Sequence, residues 1–390
     1  MKKILYITGQ SPFETFSGAH QRSNLIFRAL CEVCEVDLIC FSKDTLPEES
    51  VLKNYSIKYF GEKDIFVHQQ PNMIKRILSL FSFDCISPKD EYYSTIVQNI
   101  IRNNHYDYIL IRYIQNALKC GIRKGENVII DVDDLPEQQF MSISRFSTYS
   151  IPKRIYYYFK AIISKRFTLK ILKNIYHSFL PNKNQIVYNN SSYLPNIPFP
   201  INYIKINDNS KVISQYNILF VGLMSWYPNY NGVDHFLKNI YPSITNKLSN
   251  VIFNIVGKNI PEEKRKCWEK IRNVNIKGFV DNIDKEYRNT NIVVVPIYEG
   301  AGSNIKVLEA MSRGKTVVLS SYATRGFEEF LIDGENVLIA QNDHEFSEKV
   351  ILGLTNKKIN DTISENAKQT ISSSEFTFKY FSEQIHNVIL

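Results

Sequence analysis

Short apolar runs bounded by turn residues recur along this chain, each followed by a stretch of helical periodicity. That alternation is what most restricts the fold. The first run is "KKILYIT", followed by the loop "GQSPFETFSGAHQ", the helical "RSNLIFRALCEV" and a second run, "EVDLICF". A strand, a crossover helix and another strand close right-handed into a parallel sheet. "HYDYILIR" (105–112) and "ENVIIDV" (126–132) are mostly continuous β-branched or aromatic runs, the pattern of strands buried on both faces. "YHSFLP" (176–181) adds a further strand.

The pattern then stops and restarts. "SSYLPNIPFPINY" (191–203) holds three prolines and few helix formers, which marks a domain junction. Beyond it, "NILFVG" (217–222) and "VIFNIVG" (251–257) flank a helix expected over about 231–248. "VNIKGFV", "NIVVVPI", "KTVVLSS" and "NVLIA" follow, with helical stretches between them. A chain of 390 residues exceeds one ordinary core and suits two domains. The expected class is α/β, with two doubly wound parallel sheets in tandem. Such sheets bind ligands at the carboxyl ends of their strands, so two facing domains would leave a cleft between them.

Composition narrows the function classes. With 44% hydrophobic residues the chain reads as globular, and a net charge of +8 favours acidic partners such as nucleotides or an anionic membrane face. The basic residues are dispersed and no recognition motif is present, so nucleic acid is not an expected partner. No segment reads as a signal peptide or reaches about 18 apolar residues, so the expected location is cytoplasmic. Cys31 and Cys34 form a C-x-x-C without a second pair or a histidine cluster, which reads as packed, reduced thiols. "NMIKRILSLFSF" (72–83) and "PKRIYYYFKAIISKRFTLKILK" (152–173) mix basic residues with aromatics and aliphatics. They read as amphipathic helices covering the sheet with solvated lysines, or as a contact with the inner, anionic face of a membrane.

The densest chemistry lies in "PIYEGAGSNIKVLEAMSRGKTVVLSS" (296–321). "NIVVVPI" enters as a strand, Gly300-Ala301-Gly302 makes the turn, and Ser303 is expected as the N-cap of a helix. Asn304, Ile305 and Lys306 then form a first turn with unpaired amides, and Lys306 and Glu309 share a face. A diphosphate would suit the amides and Lys306, while Glu309 would accept hydrogen bonds from a ribose diol. The plainer reading is a capped helix with a surface Lys–Glu pair and glycines that only serve the turn. A dinucleotide fingerprint fits worse, since Ile305 stands where the third glycine would be needed.

"GAGSNIKVLEAMSRGKTVV" resembles the nucleotide-sugar motif of glycosyltransferase family 4, the retaining enzymes with the GT-B fold. "FSGAHQRSNLIFRAL" (16–30), "ILFVGLMSWYPNYNGVDHFLKNIYPSI" (218–244), "FNIVGK" (253–258) and "IKGFVDNIDKEY" (276–287) resemble further segments of that family, in its order. The resemblance implies two facing Rossmann-like domains: an acceptor-binding domain over 1–200 and a nucleotide-sugar-binding domain over 201–370. A final helix, 371–390, would return to the first domain. By position, Glu309 would bind the ribose, and Gly300, Gly302, Ser303, Asn304, Ile305 and Lys306 would approach the pyrophosphate or sugar. Gly18 would face the diphosphate, with Arg22 close behind it, and Lys258 and Val280 would contact the nucleotide or its base.

Three departures from the family pattern matter. Ala301 stands where many members have a second glutamate, and Glu299, two residues away, is its nearest substitute. Leu223 and "MSWYPN" replace an arginine and a lysine that neutralise phosphate, leaving that charge to Lys306 and Arg325. A histidine at the end of an N-terminal strand is replaced in "DVDDL", where Asp133 is the nearest match. "DVD" (131–133) is also a D-x-D, a metal motif in unrelated transferases, yet it terminates an expected buried strand. Asp133 or Asp134 reads instead as an acceptor-facing carboxylate or a loop residue.

The resemblance implies a retaining glycosyltransferase of bacterial-type surface polysaccharide or glycoconjugate assembly. It would need no metal or other cofactor, with a nucleoside-diphosphate sugar as donor and a glycan or lipid-linked glycan as acceptor. Lys306, Glu299 and Asp133 are its expected catalytic residues. A nucleotide-binding protein of the same fold without transfer, and a nucleotide-sugar epimerase, are the alternatives.

Overall fold

The computed structural model describes residues 1–44, 47–49, 53–61, 77–146, 149–186, 188–199 and 215–390. Residues 72–76 of the first basic-aromatic segment and 200–203 of the proline-rich junction lie outside them. The chain divides into two compact units, one of Met1–Asn196 with Phe378–Leu390 and one of Ile197–Thr377.

Among the described residues the first unit holds seven strands: β1 (Lys2–Thr8), β2 (Cys34–Cys40), β3 (Ser56–Phe60), β4 (Tyr108–Arg112), β5 (Gly125–Asp131), β6 (Ile175–Leu180) and β7 (Ser191–Tyr193). Their order is β3-β2-β1-β4-β5-β6-β7, and every neighbouring pair is parallel. Ile4, Leu5, Tyr6 and Ile7 of β1 are all buried, as a strand covered by helices on both faces requires. Two strands were not foreseen. β3 has only partly buried or exposed residues, and β7 falls inside the stretch expected to be a junction.

The last helix, Phe378–Ile389, belongs to this unit. It lies against the helix Gly18–Val33, with His386 Nε2 2.8 Å from the carbonyl of Ala29. Lys2 Nζ donates to the carbonyl of Ile389 at 2.6 Å. The residues just before it, up to Thr377, belong to the second unit.

The second unit holds β8 (Tyr216–Val221), β9 (Val251–Val256), β10 (Val274–Gly278), β11 (Ile292–Val295), β12 (Thr316–Ser320) and β13 (Leu338–Ala340). The order is β10-β9-β8-β11-β12-β13, again all parallel. All four residues of β11 and all five of β12 are buried, so this pair is the centre of the core.

The helix expected over about 231–248 starts earlier, at Tyr227, with Pro228 in its first turn. Tyr227–His235 runs into a wide π turn, Phe236–Ile240, and then into Tyr241–Lys247. Pro242 has no N–H for the helical ladder, and a wider turn just before it accommodates that loss. In each sheet the strand order reverses once, between β1 and β4 and between β8 and β11. Loops at the carboxyl ends of those strands are where such sheets take ligands.

Candidate functional site

In the second unit the glycine turn follows β11, at the reversal point. Pro296 ends the strand, and Gly300 and Gly302 adopt φ of 115° and 86°. Residues with a Cβ avoid that backbone region, so both glycines are required by the turn itself. A Cβ on Gly300 would also stand 2.8 Å from Pro228 Cγ. The Gly300 carbonyl accepts hydrogen bonds from Tyr322 Oη at 2.6 Å and Arg325 Nη1 at 2.8 Å. Arg325, expected to supply charge for a phosphate, therefore braces the turn.

The helix that follows spans Ile305–Ser312, and its cap differs from expectation. Asn304, not Ser303, holds the N-cap position, and no side chain caps the helix. The Ser303 carbonyl instead accepts from the amide of Ile305 at 3.0 Å, and Asn304 Nδ2 donates to the carbonyl of Ala323 at 3.2 Å. A tight turn after Gly302 leaves no room for the expected cap geometry.

Lys306 is half-buried and points back across the reversal point. Its ammonium donates to Asn229 Oδ1 and lies 5.0 Å from the centre of the Phe220 ring. Asn229 Nδ2 in turn donates to the carbonyl of Leu223, in the loop after β8, at 2.7 Å. Burial pushes the Lys306 ammonium down to about 8, with the charge of Glu309 opposing that shift. The pair is thus no solvated surface contact. Glu309 sits one turn further on, and its carbonyl accepts from Arg313 Nη1 at 3.0 Å. Arg313 is itself buried and bonded to Asp284 at 2.8 Å, which fixes the end of the helix.

Glu299 enters the same corner from the other side of the turn. Asn231 Nδ2 donates to its carboxylate at 2.7 Å, and Tyr227 is a second partner. Burial raises its pKa, and these two bonds oppose the rise. The helix Tyr227–His235 reaches this close because Gly232 lies against the Pro296 carbonyl, where a Cβ would come within 2.1 Å. Lys258 stacks on Phe279 at 4.0 Å, just after β9, and Val280 follows β10 on the same loop as Phe279. Phe279 and Trp226 are both exposed.

The first unit has its own cluster at the ends of β4 and β5. Tyr113 and Asp133, both non-glycine, adopt φ of 65° and 54°. Each such residue costs on the order of 1–3 kcal/mol and persists only where its surroundings hold it. Here Asp133 accepts from Arg112 Nη2 at 2.6 Å and from Tyr113 Oη at 3.0 Å. Burial alone would raise the Asp133 pKa, but Arg112 and Arg22 hold it below the usual range. Asp131 is fully buried and takes Arg22 Nη2 at 2.6 Å. The D-x-D carboxylates are therefore arranged around two guanidinium groups. Asp133 serves that network rather than standing open to an acceptor.

Asp134 is the exception. Burial and the charge of Asp133 push it up to about 7, and its carboxylate accepts from Gln139 Nε2 at 3.5 Å. Gly18 opens the helix Gly18–Val33, and Ser17 before it caps the helix by accepting from the amide of His20. His20 bridges Ser17 Oγ at 2.6 Å and Asp44 Oδ2 at 3.0 Å. Arg22 is turned inward. Besides Asp131, it donates to Asn196 Oδ1 at 2.9 Å and to the carbonyls of Leu194 and Pro195. Its donors all end on the protein, so the substrate contact expected of it is not what this geometry provides.

Sequence reasoning missed Asn229, Asn231 and Tyr322. Each acts through a contact far along the chain, for which spacing carries no signal. The N-terminal proline of the helix Tyr227–His235 was the one local cue.

Comparison with known proteins adds to this geometry. Residues 215–356 match the family model described as Glycosyl transferases group 1. The chain is similar to an uncharacterised 44.6 kDa protein in the cps region of Klebsiella pneumoniae. The two are 24% identical, with 90% of this chain and 92% of that protein covered. Among solved structures, WaaG, a glycosyltransferase involved in lipopolysaccharide biosynthesis, superposes with a TM-score of 0.65 at 14% identity, covering 99% of each chain. HepE from Anabaena, in complex with UDP-glucose, gives a TM-score of 0.62 at 14% identity over 100% of this chain and 99% of that one. The two-unit α/β architecture is that of the GT-B glycosyltransferases.

Proposed function

We propose that this chain, of which residues 215–356 match the model described as Glycosyl transferases group 1, moves a sugar from a nucleoside-diphosphate donor to a hydroxyl of a glycan or lipid-linked glycan, with retention at the anomeric carbon. The observation that carries the proposal is Lys306. It is a half-buried ammonium at the start of a helix, beside a glycine turn, at the reversal point of a parallel sheet. That is where a departing diphosphate would find amide donors and a cation together.

On this reading the sugar–phosphate bond breaks as the acceptor hydroxyl approaches the same face, and the departing diphosphate takes up the hydroxyl proton. Lys306 and the amides of the glycine turn stabilise the charge that gathers on the leaving group, without a metal in the step. Glu309 holds the ribose, and Glu299, fixed by Asn231, faces the sugar. Lys258, Val280 and exposed Phe279 lie where a base would be held. The ends of β4 and β5, with Asp134, belong to the acceptor side. The relatives named above support surface-polysaccharide assembly as the setting, and the location in this reading is peripheral, on the inner face of a membrane.

Two measurements test this. A thermal-shift screen of nucleoside diphosphates should find one that, at 100 times its Kd, stabilises the fold by about 2.7 kcal/mol. Turnover of the matching donor should require an acceptor and yield a product with the donor's anomeric configuration. Donor turnover that gives an epimer without any acceptor would replace this reading with the epimerase. Binding without turnover across acceptors would leave a nucleotide-binding protein.

A further inference from the structure

The helix Ile151–Lys173 carries large apolar residues on two faces. Ala161, Ser164, Thr168, Ile171 and Leu172 are buried, and Tyr156, Ile163 and Phe167 pack partly buried against the core. Five others, Ile151, Ile155, Tyr158, Phe159 and Ile162, are exposed, Ile151 by 70% and Phe159 by 53%. Spacings of four, three and four residues from Ile151 to Ile162 put them in one stripe along the outward face. A stripe of that width normally faces a core.

The stripe changes character along its length. Arg166 and Lys173 continue it on the same side, and both are exposed. The helix carries seven Lys or Arg and no Asp or Glu. From Gln138 to Asn207 the chain has no carboxylate side chain at all. In a chain where acidic residues number 39, so long a gap leaves the helix itself without negative charge, with Glu137 beside its Lys165 on the inward side. A second apolar group stands beside it in the fold. Phe83 packs on Phe167 of the helix at 5.0 Å, and just before it in the chain Leu78 and Phe81 are exposed, Phe81 by 76%.

We infer that the outward face of the helix Ile151–Lys173 docks on an anionic lipid bilayer. Ile151, Ile155, Phe159 and Ile162 enter the headgroup–acyl boundary, and Arg166 and Lys173 rest on anionic headgroups. No helix among the described residues is long and apolar enough to cross a membrane. Attachment through this face is therefore in-plane and reversible, of the kind that couples a shallow apolar stripe to basic residues. A second protein surface would need carboxylates to meet the basic end. A second copy of this chain would bring the same positive charge and repel it. The inference names the surface for the peripheral-membrane part of the proposed function and rests on that part alone. Vesicle binding needs neither donor nor acceptor, so its failure is separable from a failure of sugar transfer.

The test is co-sedimentation of the full chain with vesicles of phosphatidylcholine, alone or in equal mixture with phosphatidylglycerol. The wild type should be retained by the acidic vesicles at low salt and released as salt rises. Phe159→Glu with Ile162→Glu should lower retention by about tenfold or more, with an unchanged thermal transition because both side chains are exposed. Arg166→Glu with Lys173→Glu should lower it without changing the fold. Phe159→Trp should be quenched by brominated lipid beyond the signal of native Trp226 and Trp268, which settles insertion even if a glutamate variant proves unstable. Retention of the wild type with undiminished binding of both variants would overturn this face and leave membrane attachment elsewhere. No retention of the wild type, or equal retention on neutral vesicles, would overturn the inference altogether. So would a wild-type dimer that the glutamate pair dissociates, since the stripe would then be a self-association surface.

Discussion

Lys306 donates to the side-chain oxygen of Asn229, a residue 77 positions earlier in the chain. The bond ties the helix after β11 to the helix after β8, the two elements that flank the reversal of strand order in the second sheet. It also explains how a lysine can be held half-buried with no carboxylate among the described residues bonded to its ammonium. An amide oxygen satisfies one donor, while the Phe220 ring face at 5.0 Å accommodates the charge. The loop after β8 and the helix Tyr227–His235 hold Leu223 and Asn229 and no arginine or lysine. In the proposed reaction Lys306 would therefore carry more of the electrostatic work there.

Replacing Lys306 by Met keeps length and helix propensity but removes the charge. The expected loss is about 10²-fold or more in kcat, with a smaller change in donor binding. Near-normal turnover in a folded variant would make Lys306 a packing residue, and a loss confined to KM would make it a uniform binding contact.

The same residue predicts a pH dependence. Burial lowers its pKa to about 8, and a bound diphosphate would raise it again. Binding should therefore take up a proton, and affinity should fall as pH rises above about 8, where the unliganded lysine loses its charge. Titration calorimetry between pH 7 and 9.5 in buffers of different ionisation heats reads both effects, as estimates of about one proton at most. A flat profile identical to that of Lys306→Met would remove the ammonium from the binding site.

Glu309→Ala should weaken donor binding by roughly 1.5–3 kcal/mol, the scale of hydrogen bonds to a charged group. The stability of the fold should change little, because Arg313 bonds the Glu309 carbonyl and keeps that contact in the variant. Unchanged affinity for a ribonucleotide, or an equal loss for ribo- and 2′-deoxy- or 3′-deoxy-donors, would exclude a grip on the ribose diol.

Asp134 predicts stability against activity. Its pKa is raised to about 7 by burial and by Asp133, so the folded chain holds that proton more tightly than the unfolded chain. The folded state therefore loses stability as pH rises from about 4 to about 7. Asp134→Asn removes that loss and should stabilise the protein by about 1–3 kcal/mol at pH 8, with the gain fading toward pH 4. If Asp134 meets the acceptor, the same variant should turn over more slowly despite its stability. Denaturant unfolding at the two pH values, paired with acceptor KM, checks both halves. A variant less stable than wild type at pH 8 would refute the first half.

Much of the architecture is determined by the sequence itself. β1, β4, β5, β11 and β12 are runs of β-branched and aromatic residues that only a doubly covered parallel sheet can bury. The glycine turn was readable for a similar reason: positive φ at Gly300 and Gly302 excludes other residues from that backbone. The edge strands of the first sheet were not readable. None of the five residues of β3 is buried and β7 is three residues long with two serines, so their strand state comes from pairing with β2 and β6.

What the tertiary structure decided is which polar groups meet. Arg22 looked like a site residue because it follows Gly18, yet it is bonded to Asp131, 109 residues away. Asp133 is held by Arg112 and Tyr113, while Asp134, its neighbour, is left near neutrality. Lys306 depends on Asn229, and Glu299 on Asn231. The outward stripe of Ile151–Lys173 is equally a tertiary fact, since its periodicity alone fits an inward face as well as an outward one. Hydrophobic patterning is local and repeats with the geometry of strand and helix, so a sequence carries it openly. Charge pairing and exposure depend on distances set by the whole fold, and no spacing along the chain encodes them.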